Sequence, residues 1–218
     1  MVLFQDRYEA GRRLAEELED SADDGSVIVL GLPHGGVPVA YEVARALRVP
    51  LDVFLVRKLG LPGREQFSMG AVASGGMRVI NKELVRLLDI PPEVIERVAR
   101  REQEELERQE QIYRHHRSEA VLAGKTVILV DDGMATGATM RAAATAIRAE
   151  DPRRLIVAVP TAVLETYELF ADEVDEVVWA AAPRPSQNIR HWYKNFAQIT
   201  DEEVCQLLEL ANETAVAT

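Results

Sequence analysis

Short unbroken apolar runs alternate along this chain with longer stretches whose apolar positions recur every three or four residues. The runs Ser26–Leu32, Leu51–Val56, Val127–Val130, Leu155–Val159 and Val174–Trp179 are bounded by polar or turn-forming residues and read as strands buried on both faces. Between them, Val37–Leu47, a stretch beginning near Ala138 and running through Met140–Arg148, and Val163–Phe170 carry helical spacing. Asp6 is placed to cap a first helix with Tyr8, Leu14 and Leu18 on one face. Strand and helix in alternation predict an α/β fold: a mostly parallel sheet flanked by helices, joined by right-handed crossovers.

Two regions depart from that rhythm. A glycine-punctuated loop follows the second strand, then an apolar piece at Gly70–Ala73 and a partner strand at Met77–Ile80. From about residue 82 to 120 the chain reads as a helical insertion whose main helix, Pro91–Arg117, is rich in Glu, Arg and Gln. Its apolar positions Val94, Ile95, Val98, Leu106, Ile112 and Tyr113 are too sparse for a heptad, so the expectation is a solvated helix along one edge, with a homodimer contact or a lid as the alternative. His115 and His116 are adjacent, hence not on one helix face, and do not suggest a metal site. Near the end, Thr200-Asp201-Glu202-Glu203 has the form of a capping box, opening a helix whose Val204, Leu207, Leu208 and Ala211 read as packing. No repeat divides the chain, so residues 1–218 are expected to form one domain.

Charge narrows the choice of partners. A net charge of −11 argues against nucleic acid, since affinity for phosphate backbones needs clustered Lys and Arg. No apolar run approaches the roughly 20 residues of a membrane span, and Met1–Asp6 is too short and acidic for a secretory leader, so a cytoplasmic protein is expected. The single cysteine, Cys205, excludes an internal disulfide and lies on the last helix as a small apolar filler.

The chemistry concentrates after the Val127–Val130 strand, in Asp131-Asp132-Gly133-Met134-Ala135-Thr136-Gly137-Ala138-Thr139. Carboxylates at the C-terminal edge of a parallel strand sit where such sheets collect ligands. The turn that follows suits an anion: Gly133 and Gly137 free backbone N–H groups to point inward, Thr136 and Thr139 add hydroxyls, and the next helix aims its N-terminus there. Two acids beside a phosphate are useful only if vicinal hydroxyls or a metal ion lie between them and it, and a ribose 5-phosphate meets that condition. The ending Gly-Lys-Ser/Thr of a Walker A loop is missing. A plain structural strand, turn and helix cap is the competing reading.

The segment resembles the diphosphoribose-binding signature of the type I phosphoribosyltransferases. That resemblance implies that Asp131 and Asp132 hold the ribose hydroxyls, and magnesium with the substrate, while residues 133–139 wrap the 5′-phosphate. It extends to two further turns. Pro33-His34-Gly35-Gly36, between the first strand and its helix, corresponds to the loop that contacts the diphosphate leaving group, with His34 as its side-chain donor. Arg57-Lys58-Leu59-Gly60-Leu61-Pro62-Gly63 looks like the segment of adenine phosphoribosyltransferases whose cations neutralise the departing diphosphate, one residue shorter; read as the end of the second strand, it places Arg57 and Lys58 beside that group. Ala135 stands where enzymes for hypoxanthine and guanine carry an Asp, so the motif is closer to the adenine type, and Glu65 is a candidate loop-borne acid or base.

Residues 183–199 occupy the place of the family's base-recognising hood, where Trp192, Tyr193 and Phe196 suit a planar heterocycle and suit a folded-back cap on the core equally well. The resemblance, spanning residues 26–196, implies a salvage-type transfer of 5-phosphoribosyl from 5-phosphoribosyl 1-diphosphate to a purine-like base. A non-catalytic regulator that senses the same ligand is the alternative.

Overall fold

The computed structural model describes residues 2–21, 26–114, 119–170, 173–182 and 188–216. The expectations for His115, His116 and the first part of the hood, 183–187, fall outside the described residues, as does the side chain of Glu65. A five-stranded sheet runs in the order β2 (Leu51–Val53), β1 (Val27–Gly31), β6 (Thr126–Val130), β7 (Arg154–Val159), β8 (Glu176–Trp179), and every pair is parallel. Every residue of β1 and of β6 is buried, as unbroken apolar runs require of strands covered on both faces. The order reverses between β1 and β6, whose register pairs Gly31 with Val130. The loops leaving these two strands therefore diverge from a shared point at the sheet's C-terminal edge, the switch point where α/β sheets hold ligands.

On one side of the sheet, Val29, Ile128 and Ile156 share one core with apolar residues of α1 (Arg7–Glu16), α2 (Gly36–Leu47), α4 (Pro92–Arg114) and α7 (Asp201–Val216). The other face packs Ile28, Val127 and Val157 against α5 (Ala138–Arg148) through Met140, Ala143 and Ile147. Asp6 caps α1 by accepting from Glu9 N at 2.9 Å, and Thr200 caps α7 by accepting from Glu203 N at 3.2 Å. The remaining helices are α3 (Lys82–Leu87) and α6 (Leu164–Phe170), and among the described residues no helix is long and apolar enough to cross a membrane.

The second strand is shorter than its sequence suggests. β2 ends at Val53, and Val56–Leu61 begins a separate three-stranded antiparallel sheet, β3 (Val56–Leu61), β4 (Arg64–Ala73) and β5 (Met77–Ile80). The Pro62-Gly63 turn, with Gly63 at φ 76°, folds β3 back on β4, so a hairpin stands where the sequence suggests a loop. Arg57 and Lys58 thus lie opposite Val72 and Ala71 inside a ladder, not at the end of a parallel strand. Neighbouring strand residues point to opposite faces. Arg57 faces α4 and Lys58 is exposed.

α4 packs along an edge, against β3, β4 and α7, with its other face solvated, and it buries more than its apolar positions alone. It buries Ile95, Val98, Ala99, Leu106 and Tyr113 in the main core and also buries Glu102, which accepts from Arg57 Nε at 2.8 Å. Burial pushes the Glu102 carboxyl up, but hydrogen bonds from Arg101 and Arg57 outweigh it and hold the group below its ordinary range. The folded carboxyl titrates below its unfolded value, so its contribution is complete above the unfolded carboxylate range and is lost as pH falls through the folded value. Glu102→Gln should lower unfolding free energy at neutral pH by about 1–3 kcal/mol. In denaturant titrations the gap to the unsubstituted protein should narrow as pH drops below about 4; a gap independent of pH would show that the charge contributes nothing.

Candidate active site

Gly36 opens α2 directly under the end of β6: a Cβ there would meet Val130 O at 2.7 Å and Asp131 Cα at 2.8 Å. A Cβ on Gly35 would overlap the Asp132 carboxylate, although Gly35 has an ordinary φ of −65°. The glycine pair is thus required by close approach, which brings the turn after β1 into contact with the two acids after β6. The Pro33–His34 peptide is cis.

The carboxylates differ in partners. Asp131 Oδ1 accepts from the Asp132 backbone N at 2.8 Å. Burial holds its carboxyl well above the ordinary range, and the neighbouring charge of Asp132 adds to this. Asp132 is raised by burial too, but Arg7 opposes the shift: its Nε donates to Asp132 Oδ2 at 2.8 Å, with both side chains largely buried. Arg7 is itself locked, its Nη1 donating to Ala197 O at 2.7 Å and its guanidinium lying 3.8 Å from the Phe196 ring centroid.

Arg7 reaches this point because the chain before α1 runs beside the segment after the Ile189–Trp192 turn. Leu3 N and Phe4 N donate to Trp192 O, and Lys194 N and Asn195 N donate back to Phe4 O and Gln5 O. Trp192, Tyr193, Phe4 and Ala10 form a small buried cluster under that seam. Trp192 is 0% exposed, and the buried Tyr193 hydroxyl donates to Asp132 O at 2.6 Å. Of the two readings for these rings, the folded-back cap holds for Trp192 and Tyr193, since enclosed rings offer no face to a ligand. Phe196 is half-buried and lines a cavity of about 560 Å³ with Arg7, His34, Gly35, Arg190 and Gln198.

The turn 133–139 encloses a smaller cavity of about 170 Å³, walled by Asp131, Asp132, the turn itself and Ile189. Gly137 sits at φ 68° as the cap residue of α5, whose N-terminus faces the turn. Not every group of the turn is available to an anion. Met134 is buried in the core and its N–H donates to Thr161 O at 3.2 Å, while Ala138 N lies 3.5 Å from Thr136 Oγ1. Thr136 is exposed and Thr139 half-buried.

Thr139 also borders a third cavity, about 190 Å³, lined by Pro33, His34, Phe54, Arg57 and Gln109. Here the turn after β1 meets Arg57; Lys58 is not among its lining residues. His34 Nε2 lies 3.0 Å from Asp201 Oδ1 and 3.1 Å from the Tyr113 hydroxyl, which also donates to Asp201. Those bonds from Tyr113 and His34 hold the Asp201 carboxyl below its ordinary range, Tyr113 having the larger effect.

Arg7, Ile189, Tyr113, Asp201 and Gln109 belong to none of the three loop motifs that suggest ligand binding. Arg7 leaves one trace: with Ala10, Gly11 and Leu14 it occupies the buried stripe of α1, and an arginine on an apolar stripe implies a buried partner.

A family model for the phosphoribosyl transferase domain matches residues 4–75 and 70–186. A Mycobacterium tuberculosis protein named as a putative phosphoribosyl transferase is 41% identical over 212 residues, which cover 97% of this chain and 48% of that protein. The chain therefore spans about half the length of the curated relatives it matches. Among solved structures, TT1426 from Thermus thermophilus has a TM-score of 0.86 at 42% identity, covering 95% of this chain and 98% of that one. The AQ2163 protein from Aquifex aeolicus shares the fold alone, with a TM-score of 0.51 at 9% identity over 84% of this chain and 75% of that one. With the match running through both loops that meet at the switch point, the chain belongs to the phosphoribosyl transferase domain family.

Proposed function

We propose that this domain transfers the 5-phosphoribosyl group from 5-phosphoribosyl 1-diphosphate to a nitrogenous, purine-like base and releases diphosphate. The observation that carries the reading is a row of three cavities at the reversal between β1 and β6: Asp131 and Asp132 wall the one at the turn 133–139, Thr139 borders both that cavity and the one beside Arg57, and His34 borders both the latter and the cavity beside Phe196. The turn 133–139 would take the 5′-phosphate on backbone N–H groups and the hydroxyls of Thr136 and Thr139. Asp131 would accept from the ribose hydroxyls, with Asp132 contributing an oxygen while remaining paired with Arg7. His34, the N–H groups beside Gly35 and Gly36, and Arg57 would face the diphosphate. The cavity beside Phe196 and Arg190 would receive the base, whose ring nitrogen displaces the diphosphate oxygen from C1.

Positive charge at C1 and negative charge on the departing oxygens both grow as that bond breaks, so donors fixed on the diphosphate side stabilise the transition state more than the ground state. Magnesium fits as an ion that arrives with the substrate. The site offers it hard carboxylate oxygens, and no group of three His, Cys, Asp or Glu side chains gathers among the described residues. Bound, it would supply charge neutralisation for the diphosphate. The decisive experiment is incubation with 5-phosphoribosyl 1-diphosphate, magnesium and a panel of bases, following nucleotide and diphosphate formation. Tight binding without turnover on any base would assign the domain to the ligand-sensing alternative.

Asp131 is the cleaner carboxylate to test, because removing Asp132 would strand the buried Arg7. Asp131→Asn should keep the melting temperature within a few degrees yet lower turnover by at least about tenfold, corresponding to about 1.4 kcal/mol of barrier. Unchanged turnover would remove the ribose role. Arg57→Ala should reduce the rate by a similar factor while leaving nucleoside monophosphate binding within about twofold, since that product lacks the diphosphate. Lys58→Ala, at an exposed site on the other face of β3, should reduce it less. A larger loss for Lys58 than for Arg57 would mean that the hairpin turns over when substrate binds.

A further inference from the structure

Along α4, the residues Glu102, Leu106, Gln109 and Tyr113 are spaced four, three and four apart and so share one face of the helix. That face runs past the proposed diphosphate site. Near one end Glu102 holds Arg57, and at the other the Tyr113 hydroxyl meets His34. Gln109 lies between them, half-buried, and lines the cavity of about 190 Å³ together with Pro33, His34, Arg57 and Thr139. Its side-chain amide makes no hydrogen bond among the described residues. The neighbouring positions Glu104, Glu105, Glu107 and Glu110 are carboxylates, so the one turn of the helix that meets the cavity presents a neutral amide within an acidic stretch.

We propose that Gln109 is a ligand-contacting residue of the diphosphate site, donating its amide N–H to diphosphate oxygens while Arg57 supplies charge. The proposal rests on the transferase reading and adds α4 to the machinery of that reaction. A primary amide offers two N–H donors without the repulsion a carboxylate would exert on a polyanion. Glu102 and Tyr113 are then positioning residues, fixing the two basic side chains on either side of Gln109.

The test is titration of inorganic diphosphate with magnesium into the full chain and into Gln109→Glu and Gln109→Leu, with ribose 5-phosphate as the second ligand and thermal melts alongside. Gln109→Glu should weaken diphosphate binding by at least about tenfold, and Gln109→Leu by about threefold or more. Ribose 5-phosphate affinity should stay within about twofold in both, because the turn 133–139 takes the 5′-phosphate and only Thr139 of that turn borders the cavity that Gln109 lines. Equal diphosphate affinity in all three proteins overturns the proposal and leaves the transferase reading standing. Parallel losses for both ligands, tracking a lower melting temperature, overturn it as well by giving Gln109 a structural role. If the unsubstituted protein binds ribose 5-phosphate but not diphosphate, the cavity is misassigned and the proposal falls with it; if it binds neither, the transferase reading itself fails.

Discussion

Two adjacent carboxylates at the edge of a buried sheet cannot both carry charge without a compensating cation, and this constraint organises the structure around the site. Arg7 provides that charge for Asp132. To arrive there it needs a helix that begins beside the sheet edge, which in turn needs the chain before α1 to run along residues 192–195. Phe196 and Ala197 then hold the guanidinium from the far side. The first helix, the small cluster around Trp192 and the carboxylate pair are therefore one unit, although they come from opposite ends of the sequence.

The sheet's C-terminal edge can be followed from sequence wherever a local pattern sets the geometry. Unbroken apolar runs identified β1, β6 and β7, and the turns after β1 and β6 lie where those strands put them. Gly35 and Gly36 could be marked as anion-loop glycines, but the reason for them, contact with Asp131 and Asp132, depends on the register between β1 and β6 and is not contained in either segment. The hairpin was hidden for another reason. Leu51–Val56 is continuously apolar apart from Asp52, yet it crosses from one sheet to another at Phe54-Leu55, and an apolar run does not reveal which sheet it joins. The Pro62-Gly63 turn was the available signal.

α4 shows the limit of patterning. A helix crowded with Glu and Arg reads as solvated, and its outer face is; Ile95, Val98, Leu106 and Tyr113 mark its inner face, but the roles of Glu102 and the Tyr113 hydroxyl emerge only once Arg57 and His34 are in place. Polar residues facing polar partners add nothing to the hydrophobic period that sequence reveals. For the same reason the aromatic residues after β8 could be seen to be special without showing which of them is enclosed: a ring's burial depends on Phe4 and Ala10, near the other end of the chain.

The pairing of Arg7 with Asp132 and Ala197 also bears on the order in which the molecule is assembled. These bonds join residues 125 and 190 positions apart, and β1 meets β6 only after the hairpin and α4 have been accommodated between them. Contacts so distant along the chain form after the entropy of closing long loops has been overcome, whereas helices and the β3–β4 hairpin can form from local contacts. The Arg7–Asp132 pair thus depends on long-range closure in a way that the helices and the β3–β4 hairpin do not. Secondary structure can be in place while the two acids still lack their cation, so competence to bind ligand reports on finished tertiary assembly in a way that helix content does not.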